Sequence, residues 1–353
     1  MTALPEIDLR VLTTDAAGPR LSQKVRVSRF PMYYPGGYEV YFTQRLAGQE
    51  IAPGLLSRLW HMVRWADVVH LTGTYSFPTI PTLLACRILK RPLIWSPRGA
   101  LKATHEWDGA RRLRLKRIWE GMCSMVMPQR CRLHVASEAE RTASIARLPL
   151  AVTIVIPNGV DIPDLPPARR WVPDGTLRLV FIGRLHPVKG IENLLEALSL
   201  LSEEKVVLDV YGSGNFDYSE RLRAYARSLG LSKRVKFHGH VDADAKLRAF
   251  IEADVCVVPS HTENFGMVVA EALAHGVPVI ASCGTPWSLI EQIGCGLWVE
   301  NIPATLARAI QQTQCMDLAT MGQRGRKWME KEYRWELVAA KMKTAYEELM
   351  HAA

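Results

Sequence analysis

The 353-residue sequence lacks several patterns that would place it in a familiar class of protein. Its seven cysteines are scattered, with no C-x-x-C pair and no metal-ligand spacing, which disfavours a disulfide scaffold and a zinc site. No apolar run approaches the roughly 20 residues of a membrane span, and the N-terminus shows no basic-then-apolar signal pattern. We therefore expect buried free thiols, no bound metal and a cytoplasmic protein, which could still lie peripherally on the inner face of a membrane.

Acidic residues are scarce in one half of the chain only. Residues 1–160 hold 22 Lys and Arg against 11 Asp and Glu, whereas 161–353 hold 22 against 24. The net charge of +9 therefore comes from the first half, which we expect to meet an anionic partner. No aromatic platform or nucleic-acid reading motif accompanies these cations, so nucleic acid is not the expected partner.

The order of apolar runs predicts an α/β protein with two domains. In the first half, short β-branched runs such as Val68–Gly73 and Pro92–Pro97 are separated by segments long enough for helices. The second half alternates more regularly, from a strand at Leu177–Gly183 to one at Val277–Ser282, and predicts a doubly wound sheet. Because the segment 161–170 holds three prolines, we place a linker there. The predicted domains are 1–162 and 171–330, with 331–353 as a C-terminal helix that returns to the first domain.

The first chemical motif follows a predicted buried strand and runs from Gly183 to Gly190. Arg184 and Lys189 lie five residues apart in this turn. They would stand at the carboxyl edge of the sheet, where open α/β sheets bind their ligands. A planar guanidinium and a mobile ammonium suit a diphosphate. Taken alone, two solvated loop cations are an equally good interpretation.

The second motif runs from Ser260 through a loop into a predicted helix, and it carries two carboxylates. Glu263 lies in the loop, and Glu271 lies on the second turn of the helix that begins near Gly266. Helical side chains lean toward the N-terminus, so Glu271 is expected to point back at the same crevice. Free backbone N–H groups at the helix start favour an oxygen-rich anionic ligand. A simple surface acid is a weak alternative for Glu271, because its helix is otherwise apolar.

The two motifs together resemble glycosyltransferase family 4, the glycosyl transferases group 1, whose fold is GT-B. They form the pattern G-R-x-x-x-x-K-G followed by E-x7-E. Further segments match in the expected order: Ile156–Asp161, Val210–Gly214 and Ala274–Ala281. The segments Gly284–Trp287 and Gly294–Trp298 resemble members that build bacterial surface polysaccharides and lipopolysaccharides.

The resemblance implies two Rossmann-like domains facing each other across a cleft. It also implies a retaining, metal-independent transferase that uses a nucleoside-diphosphate sugar and needs no cofactor. Arg184 and Lys189 would bind and stabilise the leaving diphosphate, Glu271 would bind the ribose, and Glu263 would serve the donor sugar in catalysis. The implied donor-binding residues are Gly183, Arg184, Lys189, Gly212, Glu263, Asn264, Phe265, Gly266 and Glu271.

The first half departs from the family pattern on the acceptor side. Many relatives carry a His-Gly after the strand that corresponds to Pro92–Pro97, whereas this sequence has Arg98-Gly99. Arg98 could stabilise the leaving diphosphate or an anionic acceptor, but it cannot act as a general base. The usual glycine-rich turn is reduced to a segment around Gly18. His70 is an alternative polar contact for the acceptor, and a structural role is equally compatible.

Two short motifs have competing interpretations. Asp242-Ala243-Asp244 has the D-x-D spacing of metal-dependent glycosyltransferases, but an acid there would also cap the helix that follows, and we favour capping. Gly212-Ser213-Gly214 resembles half of a dinucleotide fingerprint but lacks its third glycine.

A basic segment at 111–122 has interleaved apolar residues and predicts an amphipathic helix. One interpretation is docking on an anionic membrane that holds a lipid-linked acceptor. The other is a solvated face whose apolar side packs on the core. The cations that would dock are Arg111, Arg112, Arg114, Lys116 and Arg117.

The resemblance thus implies transfer of a sugar to a glycan or lipid-linked acceptor in bacterial surface-polysaccharide synthesis. Three rivals stay open: a GT-B epimerase or phosphorylase acting on a nucleotide-sugar, a non-catalytic membrane-binding module, and a dehydrogenase. The membrane module would leave Glu263 and Glu271 unexplained. Binding of a nicotinamide cofactor would identify the dehydrogenase.

Overall fold

The computed structural model describes residues 6–17, 23–26, 30–46, 51–102, 110–164, 171–172, 175–201 and 205–352, with only the backbone of 110–112. Contacts divide the chain into two compact units. The first unit comprises Met1–Pro157 and Glu336–Ala353, and the second unit comprises Asn158–Trp335. The division follows Pro157, a few residues before the proline-rich segment that we took as the linker.

The described part of the first unit contains seven strands: β1 (Arg10–Thr14), β2 (Met32–Tyr34), β3 (Tyr38–Thr43), β4 (Val69–Thr72), β5 (Leu93–Ser96), β6 (Cys131–Val135) and β7 (Val152–Val155). The first three form a small sheet of order β1-β3-β2, in which β2 runs antiparallel to β3. The other four form a parallel sheet of order β4-β5-β6-β7.

Four helices alternate with strands β3 to β7 along the first unit: α1 (Pro53–Trp65), α2 (Thr79–Ile88), α3 (Ala110–Val126) and α4 (Glu138–Arg147). Helix α2 packs between α1 and α3. The core between these helices and the sheet is aliphatic and aromatic, with Leu83, Leu93, Trp95 and Leu133 fully buried. This burial fixes the carboxyl ends of β4, β5 and β6 side by side.

The second unit holds a six-stranded sheet of parallel neighbours. Its strands are β8 (Leu177–Ile182), β9 (Val206–Tyr211), β10 (Val235–Gly239), β11 (Val255–Val258), β12 (Val279–Ser282) and β13 (Gly296–Val299). The strand order is β10-β9-β8-β11-β12-β13, so successive strands lie first on one side of β8 and then on the other. Such a reversal opens a crevice at the carboxyl ends of the two central strands.

The helices of the second unit alternate with its strands: α5 (Ile191–Leu200), α6 (Phe216–Ser228), α7 (Ala243–Glu252), α8 (Met267–Ala274), α9 (Leu289–Ile293), α10 (Pro303–Thr313) and α11 (Leu318–Glu332). The C-terminal helix α12 (Trp335–His351) follows, and all of it beyond Trp335 belongs to the first unit.

The α/β fold and its parallel sheets confirm the predicted fold class. The first unit differs in detail, because β2 is antiparallel and the strands form two sheets instead of one. Five cysteines are buried free thiols as predicted, but the prediction was wrong for Cys283 and Cys315, which are exposed. Both lie outside the strands and helices, but so does the buried Cys295, so sequence position alone did not distinguish them.

Candidate functional site

Two predicted ligand residues of the second unit, Lys189 and Glu263, meet at the crevice between β8 and β11. The loop after β8 carries Arg184 and Lys189, and the loop after β11 carries Glu263. A backbone hydrogen bond from the His261 N–H to the Val188 carbonyl, 2.8 Å long, joins the two loops. The crevice therefore brings together residues that lie about 75 positions apart in sequence.

The turn after β8 is held by local hydrogen bonds and by glycine. The His186 ring accepts a hydrogen bond from the Val188 N–H and starts a short 3-10 turn over Pro187–Lys189. Gly190 ends this turn in the left-handed conformation, with φ at 62°. A Cβ at Gly190 would overlap the Pro259 carbonyl oxygen and the Asn301 side chain, so only glycine lets this turn lie against β11.

Gly183 and Gly212 bring two strand ends into contact. The Gly183 N–H donates to the Tyr211 carbonyl at 3.0 Å, and the next link joins the Leu185 N–H to the Ser213 carbonyl at 3.0 Å. A Cβ at Gly212 would overlap the Gly183 carbonyl oxygen. The glycines of Gly212-Ser213-Gly214 thus allow close backbone approach, which is a packing role distinct from a dinucleotide fingerprint.

Lys189 and Glu263 form an ion pair within the crevice. The Lys189 Nζ lies 2.5 Å from Glu263 Oε1, and Ser260 Oγ donates to the same oxygen at 2.8 Å. The two charged side chains are 21% and 13% exposed, so the pair is partly screened from water. Arg184, five residues before Lys189, is exposed. A diphosphate that binds here could contact the exposed Arg184 directly, whereas Lys189 would first have to break its ion pair with Glu263.

The loop that follows Glu263 rests on an aromatic cluster that the motif analysis did not predict. The Trp287 indole N–H donates to the Phe265 carbonyl at 2.5 Å, and the rings of Phe265 and Trp287 lie 5.1 Å apart. Trp328 and Tyr333 complete the cluster against Trp287. Because Phe265 is only 5% exposed, its side chain supports the loop from below. Any ligand contact from Phe265 would come from its backbone.

Two further predicted donor residues lie next to Phe265. Asn264 is half-buried in the same loop. Gly266 adopts φ of 78° at the cap of α8, where a Cβ would lie 3.3 Å from the Trp287 Nε1. Glycine here keeps the first N–H groups of α8 close to the loop, where an anionic ligand could accept from them.

Glu271 is paired with a lysine that the sequence did not single out. The Lys246 Nζ on α7 lies 2.5 Å from Glu271 Oε1, and the two side chains are 30% and 24% exposed. The Glu271 backbone carbonyl also lies 2.6 Å from the His275 Nδ1. Each predicted carboxylate of the crevice is therefore held by its own lysine.

The D-x-D motif caps a helix. Asp242 accepts a hydrogen bond from the Ala245 N–H at 2.8 Å and stands at the N-cap of α7. This confirms the capping interpretation. Because Asp242 fixes the start of α7, it also helps to place Lys246 one turn later.

In the first unit, Arg98 follows β5 in a strained backbone conformation. Its φ is 55°, in the left-handed region, and Gly99 follows with φ of 78°. The Gly99 N–H donates to the Glu140 carboxylate at 2.5 Å. Left-handed non-glycine residues persist only where their surroundings hold them, and they are frequent at functional sites.

His70 lies at the start of a chain of hydrogen bonds across the sheet. Its Nδ1 is 2.6 Å from the Tyr346 hydroxyl and its Nε2 is 2.6 Å from Ser96 Oγ. Ser96 Oγ lies 2.7 Å from His134 Nδ1, and His134 Nε2 lies 2.8 Å from the Ile156 carbonyl. Desolvation lowers the pKa of His70 to about 3, with the charges of His134 and Arg98 acting in the same direction. His70 is thus a neutral ring whose two nitrogens both face protein groups.

The basic segment forms helix α3, as predicted. Arg114 and Arg117 are exposed, and the Lys116 Nζ lies 4.9 Å from the centre of the Tyr75 ring. The side chains of Arg111 and Arg112, and all of Gly18, lie outside the described residues.

The predicted residues thus fall into two groups. Gly183, Gly212 and the charged and loop residues of the crevice belong to the second unit, whereas His70 and Arg98 belong to the first unit. Lys246, Trp287 and Glu140 are the additions that the structure makes to the predicted set.

Comparisons with known proteins identify what the chain is similar to. Residues 169–328 match the family described as Glycosyl transferases group 1. The D-inositol 3-phosphate glycosyltransferase of Mycolicibacterium gilvum is 30% identical over 195 residues, which cover 52% of this chain and 44% of that protein. The match therefore spans less than half the length of this relative.

Two solved structures share the fold of the chain. Sucrose-phosphate synthase from Thermosynechococcus elongatus has a TM-score of 0.74 at 20% identity, covering 98% of this chain and 89% of its own. Anabaena HepE, solved in complex with UDP, has a TM-score of 0.69 at 23% identity, covering 88% and 86%. Residues 169–328 therefore resemble a Glycosyl transferases group 1 domain, and the chain as a whole shares the fold of these two solved structures.

Proposed function

We propose that the protein is a retaining, metal-independent hexosyltransferase that moves a sugar from a nucleoside-diphosphate sugar to a glycan or lipid-linked acceptor. We place its work in the synthesis of bacterial surface polysaccharide or lipopolysaccharide, on the cytoplasmic side of the membrane. The observation that supports the proposal is the crevice of the second unit, where the Lys189–Glu263 ion pair lies at the loop that leads into α8. We propose that Arg184 and Glu271 complete the donor site there.

The charges of this crevice suit a donor that has both phosphates and hydroxyl groups. A diphosphate would accept from Arg184, Lys189 and the free N–H groups of α8. When Lys189 turns to the phosphates, Glu263 is released to accept hydrogen bonds from the sugar hydroxyls. Glu271 would accept in the same way from the ribose. HepE, which shares the fold, was solved with UDP, so UDP is a suitable first probe.

Arg98 is our candidate for the acceptor side. Its guanidinium cannot take a proton, so it would act by stabilising negative charge on an anionic acceptor or on the departing diphosphate. The low pKa of His70 makes it a poor base near neutral pH, so we assign it a structural role beside Arg98 and no proton transfer.

Acceptor-dependent nucleotide release tests the activity. The protein is incubated with UDP-, GDP- or ADP-sugars, with and without extracted lipid-linked glycans, and released nucleotide is measured with and without EDTA. We expect release only with acceptor, unchanged by EDTA, and a product whose anomeric configuration matches the donor in its NMR spectrum. Turnover without acceptor would favour an epimerase or phosphorylase, an inverted product would refute retention, and loss with EDTA would refute metal independence.

We further propose that the acceptor is met at an anionic membrane surface. Helices α1, α2 and α3 carry exposed apolar side chains at helical spacing. On α3 the four are 41% to 74% exposed, which argues against the alternative in which this face packs on the core. The exposed apolar side chains are Leu56, Trp60 and Trp65 on α1, Leu84 and Ile88 on α2, and Leu115, Ile118, Met122 and Met125 on α3.

The charges around this surface have one sign. The three helices contain eight Lys and Arg residues but a single acid, Glu120. Glu120 is 4% exposed and its carboxylate is held by the Arg147 guanidinium at 2.6 Å, so it adds no negative charge to the outer face. Cations near an anionic bilayer contribute about 1 kcal/mol each. In the described part of the chain no helix is long and apolar enough to cross a bilayer.

Vesicle flotation tests the membrane surface. Leu115→Ser with Met125→Ser is compared with Leu200→Ser and Phe216→Ser, which are similarly exposed residues of the second unit. On vesicles with 30 mol% anionic lipid, we expect the α3 variant to float much less than wild type and the control to float normally. Neutralising Arg114, Lys116 and Arg117 should have the same effect. Equal flotation of all variants would refute the docking face.

A further inference from the structure

Helix α4 places a buried carboxylate against Gly99, the residue that follows Arg98. Glu140 is 1% exposed and lies in the first turn of α4, after the Ser137 cap. One of its oxygens accepts from the Gly99 N–H at 2.5 Å, and the other accepts from the Ala136 N–H at 2.7 Å. The carboxylate therefore ties the loop after β5 to the loop after β6.

This link explains how Arg98 keeps its unusual backbone conformation. A left-handed arginine is disfavoured because its Cβ crowds the following carbonyl. The Gly99 N–H that donates to Glu140 belongs to the turn at Arg98 and Gly99, both of which have positive φ. The two short charge-assisted hydrogen bonds thus offset the strain of the turn.

The hydrogen-bond chain next to Arg98 fixes the other side of the loop. The Ile156 carbonyl can only accept, so His134 carries its proton on Nε2 and accepts from Ser96 on Nδ1. Ser96 then accepts from His70 Nε2, and His70 Nδ1 accepts from the Tyr346 hydroxyl. With both rings neutral, this order of donors and acceptors satisfies both nitrogens of each ring and links the end of β5, where Arg98 begins, to β4 and β6.

The electrostatics place both charges beside this chain. Burial lowers the pKa of His134, the Arg98 charge lowers it further, and the Glu140 charge acts in the opposite direction. Arg98 also acts on the pKa values of His70 and Tyr346. The Arg98 guanidinium and the Glu140 carboxylate therefore both lie within electrostatic reach of His134.

We propose that Glu140 is the positioning residue of Arg98, and that its carboxylate holds the Arg98–Gly99 turn in the conformation that presents the guanidinium to the acceptor side. The proposal rests on the proposed transferase function, because Arg98 needs a reaction to act in. It assigns to Glu140 no contact with substrate.

A double-mutant cycle tests the proposal. Glu140→Gln replaces one of the two accepting oxygens by an NH2 group, which would then face a backbone N–H donor. Arg98→Asn removes the guanidinium but tolerates the left-handed conformation. Glu138→Gln, in the exposed first turn of the same helix, is the matched control. Acceptor-dependent kcat/KM and the thermal shift with a nucleotide-sugar are measured for each protein.

We expect Glu140→Gln to lower kcat/KM roughly 10-fold or more, as expected for the loss of a buried charge-assisted hydrogen bond. The thermal shift of Glu140→Gln with a nucleotide-sugar should equal that of wild type. Glu138→Gln should match wild type in both kcat/KM and thermal shift. In the Arg98→Asn background, Glu140→Gln should cause little further loss, because its effect passes through Arg98.

A multiplied loss in the double variant, or an unchanged Glu140→Gln, would overturn the proposal. If Glu140→Gln does not fold, Glu140→Asp takes its place in the cycle, since it keeps the charge but shortens the reach. If wild type shows no acceptor-dependent turnover, the transferase function fails. Turnover with independent effects refutes only the role of Glu140.

Discussion

Gly190→Ala is expected to damage the donor crevice through backbone geometry alone. A methyl group at this position would overlap the Pro259 carbonyl oxygen and the Asn301 side chain, and the residue must also hold φ of 62°. The left-handed conformation costs a non-glycine residue about 1 to 2 kcal/mol, and overpacking costs about 1 to 3 kcal/mol more. We therefore expect a loss of about 2 to 5 kcal/mol in the free energy of unfolding.

If the backbone at position 190 shifts to relieve this overlap, Lys189 should move with it, because the Gly190 N–H closes the turn by donating to the Pro187 carbonyl at 3.0 Å. Urea unfolding measures the stability, and calorimetric titration with UDP, GDP and ADP measures the site. We expect at least a 10-fold loss of affinity for the nucleotide that wild type prefers.

Gly230→Ala provides the control, since Gly230 has φ of 74° and open space around its Cβ position. It should lose only about 1 to 2 kcal/mol, with nucleotide affinity unchanged. If Gly190→Ala costs no more than this control and binds nucleotide normally, the close approach of the two loops is not what builds the site.

Three further predictions concern single side chains. Arg98→Ala should leave the nucleotide-sugar thermal shift intact and lower turnover at least 10-fold; loss of the shift would move Arg98 to donor binding. The pKa of His70 is about 3 in the folded protein against an ordinary 6.5, so the unfolded chain takes up a proton that the folded chain refuses between those values. The free energy of unfolding should therefore fall as pH drops below 6.5. Measured by urea unfolding between pH 7 and pH 5, His70→Gln should lose less of this free energy than wild type. An equal loss in the two proteins would contradict the role of His70. Trp287→Phe removes the donor to the Phe265 carbonyl but keeps a ring, and we expect nucleotide-sugar affinity to fall roughly 3- to 10-fold; unchanged titration calorimetry would mean that the cluster does not hold the loop.

Local pattern predicted the second unit well. Strands such as Leu177–Ile182 are mainly apolar and followed by glycine, and they are largely buried on both faces as parallel strands are. Ligands bind where the strand order reverses, and this rule predicts that Lys189 and Glu263 lie at the same crevice. The sequence did not show that they would pair with each other.

Contacts between distant elements were beyond the sequence pattern. Lys246 meets Glu271 because α7 and α8 lie near each other, and nothing in the spacing of 25 residues indicates that. The Tyr346–His70 contact spans 276 residues and depends on where the C-terminal helix packs. The periodicity of α3 also left open whether its apolar side faced the core, since only tertiary packing decides which stripe of a helix is covered.

The most direct measurement of the central claim is the thermal shift of Glu271→Ala with nucleotide-sugars. At a donor concentration 100 times Kd, binding adds about 2.7 kcal/mol to stability, or roughly 5 to 10 °C in Tm for a unit of this size. The control is Glu220→Ala, whose carboxylate is also paired with a cation but lies on α6. We predict that wild type and Glu220→Ala shift with the same UDP-, GDP- or ADP-sugar, while Glu271→Ala does not. A normal shift in Glu271→Ala would contradict the donor site described above.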